Sequence, residues 1–284
     1  MFAGNQVFDV LVSVCIVVVH PCLLSMVQSL GAPMGSPVLR ARGEIYCAAC
    51  GGGLRSFSES VQSMDIFTAI KNNDLTQVRE MIAADPACVN AVAPKKPAAT
   101  KGMSPLQVAL TSGWRKEIAW LLLENGADVN YMEGREWKQP HAQPVLFDAV
   151  NVALRNARRY EFDEKIGARR FIHTKEEAEE AYRFLEAMIR KGADVNKTDG
   201  YNRNALFEAV ECMRQLCPIW NEQKQEYYSG RTIKPETEVD FLRVLRLLIS
   251  AGADKNSVSS YSGQSIREAY QKEYVWRICG ALFN

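Results

Sequence analysis

Cys47-Ala48-Ala49-Cys50 is the one spacing in the chain suited to a metal ion or a redox dithiol. A structural zinc site needs four ligands, and no second cysteine pair stands at a matching interval. Cys15, His20 and Cys22 fall in an apolar run and make poor ligands. A redox pair works at the start of a packed helix, whereas Gly51-Gly52-Gly53 follows directly here. Those glycines lack the Lys-Ser/Thr of a phosphate-binding loop. His141 and His173 accompany no nucleophile and no carboxylate pair. Glu176, Glu177, Glu179 and Glu180 read as one solvated helix face. Cys88, Cys212, Cys217 and Cys279 are scattered, as reduced thiols are, and form no disulfide framework. The expectation is a protein that is not an enzyme, with no catalytic residue, metal or cofactor.

Recognition chemistry is better represented. Residues 155–175 hold seven bases (Arg155, Arg158, Arg159, Lys165, Arg169, Arg170, Lys175) against three acids. Residues 214–238 balance four bases with four acids and carry Trp220, Tyr227 and Tyr228. A basic patch beside aromatics suits an acidic protein surface or RNA, with Arg158, Arg159, Arg169, Arg170 and Trp220 as the contacts. The other reading is a solvated helix extension whose aromatics pack the two segments together. Over the whole chain the net charge is +1, which argues against general nucleic-acid binding and leaves that chemistry to residues 155–175 alone.

The elements that must position these residues are set by a repeat. Five copies of a short pattern begin at Ile66, Leu106, Leu146, Leu206 and Ile266, each with an alanine at its fourth place: Ala69, Ala109, Ala149, Ala209 and Ala269. Their first residues are 40, 40, 60 and 60 positions apart. A recurring period in this range means a stacked array. A second marker follows the first four copies: Asn90 and Asn130 lie 24 residues on, Asn196 and Asn256 lie 50 residues on. Three of these asparagines end the same phrase, Gly126-Ala127-Asp128-Val129-Asn130, Gly192-Ala193-Asp194-Val195-Asn196 and Gly252-Ala253-Asp254-Lys255-Asn256. Each phrase follows an apolar helical run, 118–123, 181–189 or 241–249. Glycine directly after such a run fits a left-handed cap, where a side chain costs energy. Ser104-Pro105 opens the second copy as N-cap and first-turn residue. Each unit therefore reads as a first helix, a connection, a second helix and a turn.

In this arrangement the chain resembles the ankyrin-repeat family over about residues 64–284. Gly102-Met103-Ser104-Pro105-Leu106-Gln107-Val108-Ala109 is similar to that family's first-helix signature, with Gln107 where a histidine is usual. Residues 118–130 are similar to its second helix and exit. The resemblance implies an all-α, ankyrin-like solenoid of five helix-pair repeats, at about residues 64–92, 102–130, 144–197, 204–257 and 262–284. It also implies a protein partner, held in a concave groove lined by first helices and turn tips, with the chain acting as adaptor or inhibitor and as a monomer. By that resemblance Tyr131 and Trp137 are anchor candidates, with Lys138 and His141 on the same turn, and Tyr201 and Tyr261 at equivalent turn positions. Stacking of those two tyrosines as spacers along the array is the competing reading.

The departures from the family are regular. The usual unit is about 33 residues. The first two inter-repeat turns are each six residues longer than the last two. The third and fourth units carry 26 extra residues between first and second helix, and residues 144–203 align with 204–263 without a gap. A tandem duplication of one enlarged unit explains this. The insertions, about 156–174 and 214–238, lie along one edge of the stack and are expected to be neighbours, either as a packed side lobe or as longer first helices. Thr174 with Glu177 reads as a capping box for the helix that follows, and Pro235 as its first-turn counterpart in the next unit.

Residues 1–63 show no repeat. Val10 to Val19 is almost wholly apolar, too short for a confident membrane helix yet long enough for the core of a signal peptide. No Lys or Arg precedes it and Asp9 does, which weighs against export. Three expectations stand: translation from Met64 and a cytoplasmic protein, a signal or anchor in residues 7–30 that makes a secreted or membrane-tethered effector, or a cytoplasmic tail. Residues 31–60, rich in Gly and Ser, read as a linker or a non-native extension.

Overall fold

The computed structural model describes residues 38–41, 44–47, 65–94, 97–133, 142–221, 223–227 and 232–284. The chain separates into two compact units, Met1–Ser63 and Met64–Asn284. The described part of the first is an antiparallel hairpin of β1 (Val38–Ala41) and β2 (Glu44–Cys47), with Val38 opposite Cys47. The apolar run of residues 7–30 and Cys50 lie outside the described residues.

The second unit is built from consecutive helix pairs. These are α1 (Ile66–Lys71) with α2 (Leu75–Ala84), α3 (Pro105–Thr111) with α4 (Lys116–Glu124), and α5 (Val145–Arg155) with α6 (Lys175–Arg190). Then follow α7 (Ala205–Leu216) with α8 (Pro235–Ser250), and the short α9 (Ile266–Tyr270) with α10 (Tyr274–Cys279). The first helices pack in order, α1 on α3, α3 on α5 and α5 on α7, while α2 packs on α4 and α8 on both α6 and α10. Ala69, Ala109, Ala149 and Ala209 are buried at these contacts, with Leu106, Leu146 and Leu206 beside them. A methyl group at the fourth place of each copy lets neighbouring helix backbones approach, so the repeated alanine is a packing requirement. Among the described residues no helix is long and apolar enough to cross a membrane.

Local sequence sets the helix ends as expected. Ser104 caps α3 in a capping box that Gln107 completes, and Thr174 with Glu177 does the same for α6. Pro235 opens α8. A third box, Ser265 with Glu268, opens α9. Gly126, Gly192 and Gly252 take φ of 85°, 91° and 91°, the left-handed backbone that ends each second helix at low cost.

The asparagine after each phrase ties one unit to the next. Asn130 Nδ2 donates to the Gly192 carbonyl at 2.9 Å, and its Oδ1 accepts from the Asp194 N–H at 2.8 Å. Asn196 makes the same pair with Gly252 and Asp254, at 2.8 and 2.7 Å. Asn90 bonds Gly126 and Asp128 at 3.0 and 2.7 Å. One amide thus satisfies two backbone groups that the left-handed turn leaves without helix partners.

The second unit is mostly helical, as an all-α repeat fold requires, and its two insertions add only short strands. The first helices of the repeats that carry them do run longer, eleven residues in α5 and twelve in α7 against seven in α3, and the rest of each insertion turns into a hairpin. The first insertion forms a hairpin of β3 (Tyr160–Asp163) and β4 (Ala168–Phe171), with Tyr160 opposite Phe171. The second forms a smaller hairpin of β5 (Trp220–Asn221) and β6 (Glu226–Tyr227), with Trp220 opposite Tyr227. Alternation of aromatic and charged residues in Tyr160-Glu161-Phe162-Asp163 suits a strand with two unlike faces, which a helix would scramble. The insertions are neighbours, as expected, and Arg169 of the first donates to Thr232 of the second at 3.1 Å, yet among the described residues no aromatic pair joins the two hairpins. Tyr160 also meets Thr232 of the second insertion, ahead of α8, in a β-bridge, and Lys234 Nζ sits 4.8 Å from its ring. Tyr227 packs edge-on against Tyr274 of α10, with centroids 5.2 Å apart. Each hairpin thus leans on the following helix pair.

Replacing Asn196 by alanine removes two hydrogen bonds across one unit boundary. We expect a loss of about 1–3 kcal/mol in urea unfolding of the full chain. An unchanged midpoint would show that these bonds contribute nothing.

Candidate functional site

The face formed by the first helices carries a row of polar links, three of which cross a unit boundary. Gln107 of α3 is fully buried, and its Nε2 donates to Asp148 Oδ2 of α5 at 3.1 Å. Gln143 Nε2 donates to the other oxygen at 2.8 Å. Asn151 of α5 donates to Glu208 Oε1 of α7 at 2.9 Å. The Tyr270 hydroxyl of α9 donates to Glu211 Oε2 of α7 at 2.7 Å. Burial pushes the Asp148 carboxyl up to about 7, helped by the charges of Glu133 and Glu208 and opposed by the two glutamine amides. Burial likewise raises Glu208, against its bond from Asn151 and the charge of Arg203.

Beside this row lies an open pocket of about 500 Å³. Leu110, Gly113, Trp114 and Val152 supply its apolar lining; Asp148, Asn151, Arg155, Arg159 and His173 supply its polar lining. Trp114 has φ of 53°, left-handed for a bulky residue, and is held there with its ring edge-on to Phe184 at 5.1 Å. Burial and the charge of Arg159 hold His173 below its ordinary value, against the pull of Glu177.

The turn tips form a second surface. Tyr201 and Tyr261 meet edge-on with centroids 5.6 Å apart, and Tyr261 is 84% exposed. With Arg203 and Ser259 they line a shallow pocket of about 280 Å³. Arg203 is pinned to the buried Asp199 at 2.7 Å and lies 5.6 Å from the Tyr201 ring centroid. Backbone bonds link successive tips: Gly200 N–H to the Ala142 carbonyl at 3.0 Å, and Ser260 N–H to the Tyr201 carbonyl at 2.8 Å. Tyr131 sits differently. It is half-buried against the core, and its hydroxyl donates to the Gly102 carbonyl, bracing the preceding turn. Trp137, Lys138 and His141 lie outside the described residues.

The basic insertion is engaged within the molecule. Arg158 grips Asp240 of α8 with Nε and Nη2, both at 2.9 Å, while its backbone N–H donates to the same carboxylate at 2.9 Å. Thr237 Oγ1 donates to the Arg158 carbonyl at 2.6 Å. Burial acts to raise Asp240, and the Arg158 bonds outweigh it, so the carboxylate stays below its ordinary range. Arg159 pairs with Glu161 and Arg170 with Asp163, while Arg169 donates to Thr232 at 3.1 Å. Trp220 is 40% exposed and rests edge-on to Tyr227. These four arginines therefore fasten the hairpin and α8, which weakens the case for RNA on this patch. Among the described residues no group of His, Cys, Asp and Glu could hold a metal ion, and burial pushes the Cys212 and Cys279 thiols up to about 12.

The sequence reading passed over Gln107, Asp148, Glu208 and Arg203 as a connected set. A signal existed: the third place of the repeated pattern is polar in four of the five copies, as Thr68, Asp148, Glu208 and Glu268, and in the second copy, where Val108 holds that place, the polar residue Gln107 stands one place earlier. In a helix otherwise buried, that place marks a polar seam.

Residues 101–133 match the family model described as Ankyrin repeat, which covers α3, α4 and their exit turn and is consistent with an ankyrin-repeat family protein. Ankyrin repeats are generally protein–protein interaction modules, and their family is typically non-enzymatic. No curated protein matches the chain.

Two measurements check this electrostatic picture. The folded value of Asp148 lies above the ordinary 3.8, so the folded chain binds this proton more tightly than the unfolded chain. Its contribution to stability is full below 3.8 and is lost as the pH rises through about 7. Asp148→Asn should flatten that part of the stability profile, and an unaltered slope would place the titration elsewhere. Arg158→Ala removes two guanidinium bonds from the nearly buried Asp240, which keeps the residue-158 backbone N–H and Arg243 at 3.8 Å, and should cost about 2 kcal/mol; a loss below about 0.5 kcal/mol would mean the pair is solvent-screened.

Proposed function

We propose that residues 64–284 form an ankyrin-like solenoid of five repeats, at about 64–92, 102–130, 144–197, 204–257 and 262–284. In this reading the stack binds another protein through the groove of its first helices and through its turn tips. The observation that carries the reading is the pair of tip tyrosines. Tyr261 stands 84% exposed on a turn whose backbone is bonded to the neighbouring tip, and Tyr201 is pinned beside it through Arg203 and Asp199. An exposed aromatic held in advance buries much area on binding while losing few rotors. Trp137, Lys138 and His141 stay contact candidates in this reading by their place in the sequence, after Tyr131. The mechanism is rigid display, by which an adaptor or inhibitor works without chemistry of its own.

The test is capture from native lysate by the full chain, with nuclease controls, beside a Tyr201→Ala/Tyr261→Ala variant whose thermal unfolding matches the parent. A protein recovered by the parent and lost, or reduced at least tenfold, by the variant is the expected result. Equal recovery would remove the tips from the interface, and nuclease-sensitive recovery would favour a nucleic acid as the partner.

A further inference from the structure

We propose that the pocket between α3, α5 and the roots of the β3–β4 hairpin is a subsite for an acidic side chain, an aspartate or glutamate in an extended segment of the partner. The proposal rests on the reading of the first-helix face as the partner-binding groove, and it assigns the chemistry that one part of that groove selects.

The insertion helps to shape this pocket. In the second unit α3 and α4 are joined by the short turn at Ser112–Arg115, whereas α5 and α6 are separated by the hairpin. Arg159 enters that hairpin and His173 leaves it, and both line the pocket. Along α5, Asp148, Val152 and Arg155 recur at helical spacing and fall on one stripe, so the pocket grades from a buried floor to a cationic rim.

The charges favour an anion at that rim. Arg155 is exposed, and its Nη2 donates to the neutral Gln215 Oε1 at 3.2 Å, so that contact leaves its charge uncompensated. Arg159 turns back over the end of α5, with Nε donating to the Arg155 carbonyl at 3.2 Å and Nη1 paired to Glu161. Asp148 is the acid in the lining. It is 5% exposed, and both carboxylate oxygens already accept from glutamine amides. Its burial weakens its hold on charge near neutral pH, which reduces the repulsion an incoming carboxylate meets at the rim.

The rest of the lining fits the stem of such a side chain and its neighbours. Leu110, Gly113 and Val152 form an apolar wall, and Trp114 closes one side. The strained backbone of Trp114 is held by packing of its indole on Phe184, so the ring is positioned before any ligand arrives. A volume of about 500 Å³ holds several side chains, so the acidic residue would enter with an apolar neighbour. Guanidinium and carboxylate match as a planar pair of hydrogen bonds, and the match is lost when either partner becomes an amide.

Random twelve-residue peptides displayed on phage, selected against the immobilised full chain, test this directly. Selected peptides are resynthesised and their affinities measured for the parent, for Arg155→Gln and for Tyr261→Ala, all checked for unchanged thermal unfolding. We expect enrichment of Asp or Glu beside an apolar residue, and at least tenfold weaker binding to Arg155→Gln. Replacing the enriched acid by its amide should weaken binding to the parent by a similar factor and have little further effect on Arg155→Gln. Peptides without an acidic requirement, or weakened by Tyr261→Ala but indifferent to Arg155→Gln, would overturn the acidic subsite while leaving the groove reading standing. Peptides indifferent to both substitutions, or a selection that yields none, would count against the groove reading as well.

Discussion

No helix pair in this chain can bury its apolar stripe by itself, so the rest of the structure depends on contact between neighbouring pairs. α3 is seven residues long and α9 only five, far below the length at which an isolated helix persists in water. Their stability comes from the neighbour, and the neighbour can approach because an alanine stands at the same place in every copy. The asparagine bridges add direction to that contact. Hydrophobic burial alone would tolerate sliding, whereas an amide bonded to a specific carbonyl and a specific N–H sets one register. Once the register is set, the tips follow: Tyr201 meets Tyr261, and the polar row from Gln107 to Tyr270 falls into line.

The same constraint explains how two units absorb 26 extra residues without breaking the array. The additions enter between first and second helix, where the stack does not need a particular path. They return the chain to a second helix that still packs in sequence, α6 beside α5 and α8 beside α7. The hairpins are then fastened to the next pair, the first through Arg158 on Asp240 and the second through Tyr227 on Tyr274. Tyr160 and Trp220, 60 positions apart, open the two hairpins at matching places, and each aromatic finds an aromatic opposite, Phe171 and Tyr227. Sequence that appears as surplus in a repeat becomes a brace in the fold, and near Arg159 and His173 it also walls a pocket.

Much of this was legible in the residues because it is local. The N-cap at Ser104, the capping box at Thr174, the first-turn Pro235 and the left-handed glycines are properties of a few adjacent positions, and the structure has them where the sequence puts them. The hairpins were less legible, since strands of two to four residues give almost no periodic signal. The role of Arg158 could not be read at all: its carboxylate partner is 82 positions away, and a cluster of arginines looks the same whether bonded inward or open to a ligand. Tyr131 shows the converse, an aromatic on a turn whose hydroxyl is spent on the preceding turn rather than offered outward.

The central claim is that the first-helix face and the tips together form the binding surface. Amide hydrogen exchange of the full chain, with and without a protein captured from lysate, tests it most directly. The account predicts slowed exchange in residues 105–111, 145–155 and 205–216 and at the tips around Tyr201 and Tyr261. Slowed exchange confined to the second helices, 116–124, 175–190 and 235–250, would contradict it.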